Sequence, residues 1–541
     1  MKSRLAIICW LAILPCLYAT GAAVDALHQT IAYRLLDEPP TLDSMMQATS
    51  TSTFILGHVC EGLLRFDQNN RLAPGVAESW QSAGNTFTFQ LRRSARWNDG
   101  QPVTAHDFVF AWRKTLDPAT ASEYGFILFP IKNASAISSG KSKTTELGVQ
   151  ARDDHTLVIE LERPCAYFLS LLTFQTYLPV REKFYHQQGD QYAADARRLL
   201  YNGPFMITEW VHAASLNMKK NPCYWDKDNI PLQEINIPHF VSNGKTLLNL
   251  FQAGNICMAE LNEDTLQEAL QEGLALKRFL MGAIAYIELN HRKGVDDVGF
   301  SNRPTSNLHF RKALQAIISP DEITNRVVGT PGNAPLYSIF PSWVPGVVKP
   351  LAREYPLTPA RVDVAAARAH LAMARQELGL REFPELIILA DQARSAAKIA
   401  QYVQYQLLVK LGIHSKINQQ SFKARLDEMA RGRFDIVFSG WGPDYYDGMT
   451  FADLFASWNE NNRGRYNNPL YDKLVAAANS TFDQQQRARL FQRMHNVIQE
   501  DAALIPWLER GEVYLQHPQL SGVTRRIIGM DPDFRFARVL P

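Results

Sequence analysis

Segments of period two alternate with segments of period 3.6 along this chain, and that alternation restricts it to layers of sheet and helix packed face to face. Thr86 to Leu91 places polar and apolar residues in strict turn, as a half-buried strand does. Trp97-Asn98-Asp99-Gly100 carries the chemistry of a tight turn, and Thr104 is placed to cap a helix beginning near Ala105. That helix runs through Trp112 and stops before Pro118. A second turn-and-strand unit follows at Asp154 to Leu161. Helical spacing is clearest at Ala365 to Leu378, Ala396 to Leu411 and Gln484 to Gln499, with strands at Pro384 to Leu389 and Phe434 to Phe438. Helix, strand, helix, strand in the C-terminal half predicts a βαβ-type layer with a largely parallel sheet. The 541 residues, 46% of them hydrophobic, suffice for about three domains with sizeable cores.

The N-terminus gives the chain an address. Lys2 and Arg4 precede an apolar run of about 14 residues from Leu5 to Tyr18, followed by Ala19-Thr20-Gly21-Ala22-Ala23, the pattern of a secretory signal. The run is shorter than the roughly 20 residues a membrane span needs, and no later stretch reaches 18 apolar residues without a charge. Export to the periplasm with residues 1–23 removed is therefore expected. Cys16 raises a lipid-anchored alternative, which Leu14 and Pro15 before it fit poorly. With 56 Lys and Arg against 54 Asp and Glu, and no long run of one sign, nothing announces a nucleic-acid partner. Removing Cys9 and Cys16 leaves Cys60, Cys165, Cys223 and Cys257. These permit two disulfides in three pairings or four buried thiols, and spacing does not separate the cases.

Signatures of catalysis are missing from the sequence. It has neither HExxH for zinc nor a GxSxG nucleophile elbow. Ser139-Gly140-Lys141-Ser142 imitates the end of a phosphate loop, but Ser135 stands where the first glycine is required. No cysteine or histidine pair has metal-ligand spacing, so neither metal nor cofactor is expected and an exported hydrolase is the remote alternative.

Three stretches in order resemble the large solute-binding proteins of peptide-importing ABC transporters, solute-binding family 5. The first joins Leu72-Ala73-Pro74-Gly75-Val76-Ala77-Glu78-Ser79-Trp80 to Ala95 through Asp107. The second runs from Asn202-Gly203-Pro204-Phe205 through Glu209-Trp210 and Asn221-Pro222-Cys223-Tyr224-Trp225 to Leu250 through Ile256. The third is Phe434 to Tyr445. Leu116 through Ser122 adds a likeness to the oligopeptide branch, which includes murein-tripeptide binders. The resemblance implies an α/β, two-lobed periplasmic-binding-protein fold (class II, cluster C type) with an extra third domain. Lobe one would comprise 27–56, 182–281 and 510–541, the extra domain 57–181, and lobe two 282–509. It further implies a monomer that captures peptides between its lobes for an inner-membrane ABC permease. The runner-up is a receptor dedicated to a murein peptide, haem or nickel.

A peptide of unspecified sequence offers only backbone and termini as constant features, so its ammonium calls for a buried carboxylate and its backbone for an extended segment. Asp444, three residues after Trp441, falls on the family's carboxylate; the residue-level alternative is a Pro-Asp turn. The resemblance places Gly440 at the peptide backbone and Trp441 on a pocket wall. It adds Tyr286 as a cleft tyrosine, Glu38 as a pocket acid and Phe422 where relatives carry a pocket tryptophan. The oligopeptide binders use an arginine three residues before the tryptophan for the ligand's C-terminus, but this chain has Phe438 there. A histidine used similarly falls near Ala396 and is also missing; Arg394 and Arg326 are the substitute cations.

Overall fold

Residues 22–46, 49–293, 303–356, 361–392 and 394–541 are described by the computed structural model. The predicted leader lies outside these residues up to residue 21. Local signals translate directly: Phe87, Phe89 and Leu91 of the strand Thr86–Leu91 are buried while the residues between them are not. The Gly100 N–H closes the turn on the Trp97 carbonyl at 2.9 Å. Helix Ala105–Leu116 begins after Thr104, whose own backbone N–H donates to the Asp107 carboxylate at 2.9 Å.

Three principal sheets result. A five-stranded sheet combines Val24–Asp25, Thr30–Leu35, Glu234–Phe240, Ser215–Lys220 and Phe205–Val211 in that spatial order. A four-stranded antiparallel sheet combines Ala77–Ala83, Thr86–Leu91, Thr156–Glu160 and Val149–Asp153. The third, of seven strands, holds Met258–Leu261, Leu504–Gln516, Lys277–Leu289, Ile436–Trp441, Leu386–Asp391 and Ser415–Gln420, with Ala334–Pro335 added on Leu504–Gln516.

This last sheet corrects the expectation of a largely parallel C-terminal layer. Only Leu386–Asp391 pairs in parallel, with Ser415–Gln420 and Ile436–Trp441. The other pairings are antiparallel because two strands of 13 residues each, Lys277–Leu289 and Leu504–Gln516, lie side by side without a crossover helix. Their periodicity was obscured by burial on both faces over the far half.

These two long strands link Met258–Leu261 to Ile436–Trp441 across the sheet. Lys277–Leu280 pairs with Gly511–Tyr514 next to Met258–Leu261, and Ile284–Glu288 pairs with residues of Leu504–Glu509 next to Ile436–Trp441. The ladder breaks between Leu280 and Ile284, where Gly282 has φ +75°. A Cβ there would lie 2.5 Å from both Ile527 Cγ2 and Trp343 Nε1, so the position requires glycine. Close to this break, Arg278 donates to the Gly332 and Asn333 carbonyls at 2.7 and 2.8 Å.

The apolar core around the four-stranded sheet continues into the C-terminal helices. Tyr167 stacks on Tyr445 with centroids 4.4 Å apart and planes at 7°, and the Ala166 N–H donates to the Asn479 carbonyl. The cysteines resolve toward free thiols: Cys60, Cys165, Cys223 and Cys257 are all unpaired, and the disulfide alternative falls. Burial pushes the Cys60 and Cys165 thiols up to about 12, so neither supplies thiolate near neutral pH.

Candidate functional site

The strand Ile436–Trp441 forms because the run Phe434 to Phe438 is apolar enough to be buried on both faces. On one side it pairs with Ile284 to Leu289 over its full length. On the other, Leu386–Asp391 reaches only Ile436 and Val437, so Phe438 to Trp441 has no strand partner there among the described residues. Gly440 lies in this open stretch, and a Cβ would press to 3.0 Å on the Ile284 carbonyl. The half-buried Trp441 keeps its indole N–H buried without a partner. An unpaired edge with a spare donor is what an added extended segment can use.

Gly442-Pro443 ends the strand and delivers Asp444. Its backbone N–H donates to Thr450 Oγ1 at 3.1 Å, which fixes the turn, while burial alone pushes its carboxyl up to about 6. Asp453, on the short turn Asp453–Phe455, is pushed up to about 7 by burial and then by the negative charges of Asp444 and Asp447. Asp447 is satisfied, since Arg487 holds it with two hydrogen bonds of 2.6 and 2.7 Å. Asp444 and Asp453 have no such cation among the described residues. They form a recessed anionic spot beside the Tyr167–Tyr445 stack, and Tyr124 is near enough to feel the charge of Asp444. Asp453 had no sequence signal, because only the fold of residues 444–455 brings it back to Asp444.

The remaining candidates are scattered. Tyr286, across the ladder from Ser439, is 4% exposed with its ring edge-on to Phe455 at 5.3 Å. Glu38 accepts from Trp210 Nε1 at 2.9 Å and the Ala213 N–H at 2.9 Å, with His212 Nδ1 at 2.6 Å. Burial acts to raise its pKa, but these partners together hold it below the ordinary value. It lines a cavity of about 470 Å³ with Tyr192 and Asp190, its carboxylate already occupied. Phe422 opens the helix Phe422–Ala430 and is 64% exposed. Arg326 is exposed on the irregular helix Ile323–Val328. Arg394 begins the helix Arg394–Gln406, and its side chain lies outside the described residues.

Phe438 belongs to the apolar core with Ile287 and Ile436. A guanidinium nevertheless reaches this point. Arg425, 7% exposed, donates to the Phe438 carbonyl at 2.6 Å, and its Nε lies 3.9 Å from Asp391 Oδ2. Sequence reading missed Arg425 because it approaches from the neighbouring helix, 13 residues upstream.

The profile described as bacterial extracellular solute-binding proteins, family 5 Middle, matches residues 71–463. A Haemophilus influenzae protein named periplasmic oligopeptide-binding protein OppA is 30% identical over 510 residues, covering 92% of this chain and 90% of its own. Among solved structures, the unliganded open form of the periplasmic murein tripeptide binding protein MppA aligns with a TM-score of 0.81 at 27% identity. That alignment covers 95% of this chain and 98% of the other. Haemophilus influenzae OppA complexed with the peptide RPPGFSPFR gives 0.69 at 28% identity, covering 95% and 99%. All share the two-lobed fold, and the higher score falls to the open, unliganded form.

Proposed function

This chain belongs to the bacterial extracellular solute-binding proteins of family 5, and we propose that it captures peptides between its lobes and hands them to an inner-membrane ABC permease. The observation that carries this reading is Asp444, a recessed carboxylate with no cation among the described residues, set directly after an unpaired strand edge. A peptide supplies both missing partners. Its ammonium meets Asp444, and its backbone pairs along Phe438 to Trp441 as an added strand. Desolvating either charge alone costs several kcal/mol, so the pair selects ligands with a free N-terminus.

In this reading residues 1–23 are the export signal and the mature chain works in the periplasm as a monomer without catalysis. The working division is 27–56, 182–281 and 510–541 for lobe one, 57–181 for the extra domain and 282–509 for lobe two. The break at Gly282 supplies the bend on which the lobes close. Trp441 and Tyr286 wall the pocket, and Phe422 and Arg326 meet the ligand after closure. Glu38, already saturated, shapes lobe one rather than receiving charge.

A receptor dedicated to one small peptide, such as a cell-wall peptide, is favoured by a single observation. Phe438 is core, so a general carboxyl-terminal arginine is missing at that position. Calorimetry with a set of free and N-acetylated peptides tests the main reading. Binding of the free forms and loss of binding on acetylation support it, whereas equal binding of both forms contradicts it.

A further inference from the structure

Backbone geometry decides which groups of the open strand edge a ligand can reach. The Asn290 N–H donates to the Asp435 carbonyl at 3.1 Å, one step beyond the pair Leu289–Ile436. Hydrogen-bonded and non-hydrogen-bonded pairs alternate along an antiparallel ladder. Val437, Ser439 and Trp441 therefore turn their N–H and C=O toward Lys277–Leu289, while Phe438 and Gly440 turn theirs to the open side.

On that side the Phe438 carbonyl is already taken. Arg425 Nη1 donates to it at 2.6 Å from the helix Phe422–Ala430. Three contacts hold this guanidinium in place: Met429 Sδ at 3.8 Å from the same nitrogen, the Phe422 ring centroid at 5.2 Å, and Asp391 Oδ2 at 3.9 Å from Nε. Arg425 is buried, so pulling it off the carbonyl would leave a desolvated cation short of an acceptor. Gly440 is the opposite case. It is exposed, and among the described residues no strand lies beside it on the open side.

These facts fix the register of an added strand, an inference that rests on the peptide reading above. An ammonium at Asp444 starts the ligand beyond the C-terminal end of Ile436–Trp441, so its chain runs back toward Phe438, antiparallel to the strand. One ligand residue then lies opposite Gly440 and exchanges both N–H···O bonds with it. The next residue able to do so, two places on, meets the carbonyl that Arg425 holds. We propose that Arg425 is a positioning residue that sets the ligand's register: it limits pairing on this strand to one residue, opposite Gly440, and turns the chain off the edge after it. A backbone N–H is required at that residue, and a residue without one is accepted two places on.

Calorimetry with free-amine alanine peptides of four to six residues tests this, each backbone N–H of the tightest binder being replaced in turn by an ester oxygen. A crystal structure of the wild-type complex identifies the residue opposite Gly440. In the wild type, the ester at that residue is expected to weaken binding about tenfold, the scale of one hydrogen bond, and the ester two places on to leave it unchanged. In R425M the second ester is expected to cost about tenfold as well, because the Phe438 carbonyl is then free. Sensitivity at both positions in the wild type, an unchanged pattern in R425M, or a uniform loss across all peptides in R425M overturns the inference. If R425M does not fold, the wild-type complex decides by itself. A Phe438 carbonyl still on Arg425 supports the inference, and a ligand N–H on that carbonyl with Arg425 displaced overturns it. Failure of every unmodified peptide to bind contradicts the peptide reading and this inference with it, whereas a wrong ester pattern on a peptide that binds overturns the register alone.

Discussion

Replacing Asp444 by Asn is expected to move stability and affinity in opposite directions, a combination that a structural turn residue does not produce. Burial pushes the Asp444 carboxyl up to about 6 from 3.8, so the folded chain binds its proton more tightly than the unfolded chain. Stability from this group therefore falls as pH rises from about 4 to about 6, and above that the ionised carboxylate carries a constant penalty. A shift of that size corresponds to about 2–3 kcal/mol, with partial solvent access keeping it at the lower end. D444N removes the penalty, so the ligand-free variant should melt higher than wild type at pH 7.5 and equal to it near pH 3.5. The same change removes the anion that meets the ligand's ammonium, at a cost of about 2–5 kcal/mol, or roughly 30- to several-thousand-fold in Kd. Thermal melts at the two pH values and calorimetry with one free-amine peptide read both arms. A variant that is less stable than wild type and binds with unchanged affinity would refute the reasoning, because Asp444 would then be holding its own turn.

Other perturbations test neighbouring parts of the account. Affinity for a free-amine peptide should rise between pH 5 and pH 7 as Asp444 and Asp453 ionise, with protons released on binding at pH 6; calorimetry in two buffers of different ionisation enthalpy reads this, and a flat profile contradicts it. C-terminal amidation of the peptide should cost less than about 2 kcal/mol, the scale of a buried charge pair, since position 438 carries a core phenylalanine. G282V should destabilise the chain by about 2 kcal/mol or more through its positive φ and its clash with Trp343 and Ile527, as read by denaturant melts. A thiol reagent should label only Cys223 quickly in the native mature chain and all four cysteines after denaturation, because the other three are buried.

Local patterns carried much of this fold into view. The alternation at Thr86–Leu91 and the turn at Trp97–Gly100 act over a few residues, so periodicity and turn chemistry suffice to find them. The antiparallel pairing of Lys277–Leu289 with Leu504–Gln516 joins segments more than 200 residues apart, and no local signal encodes it. The site divides in the same way. Gly440, Trp441 and Asp444 lie within five residues of each other and were found together as one motif. Asp453 and Arg425 come to that motif through the folding of a turn and the packing of a helix, so sequence alone passed over both. Glu38 lines a cavity, but only the fold reveals that Trp210, His212 and Ala213 take up its oxygens from a distant strand and its loop.

Native mass spectrometry of the protein purified from its own cells, followed by denaturation to release and label what it carries, tests the central claim most directly. The account predicts released peptides with free, labelled amino termini, and their loss from D444N prepared in the same way. A bound species without an amine, or one carried equally well by D444N, would contradict it.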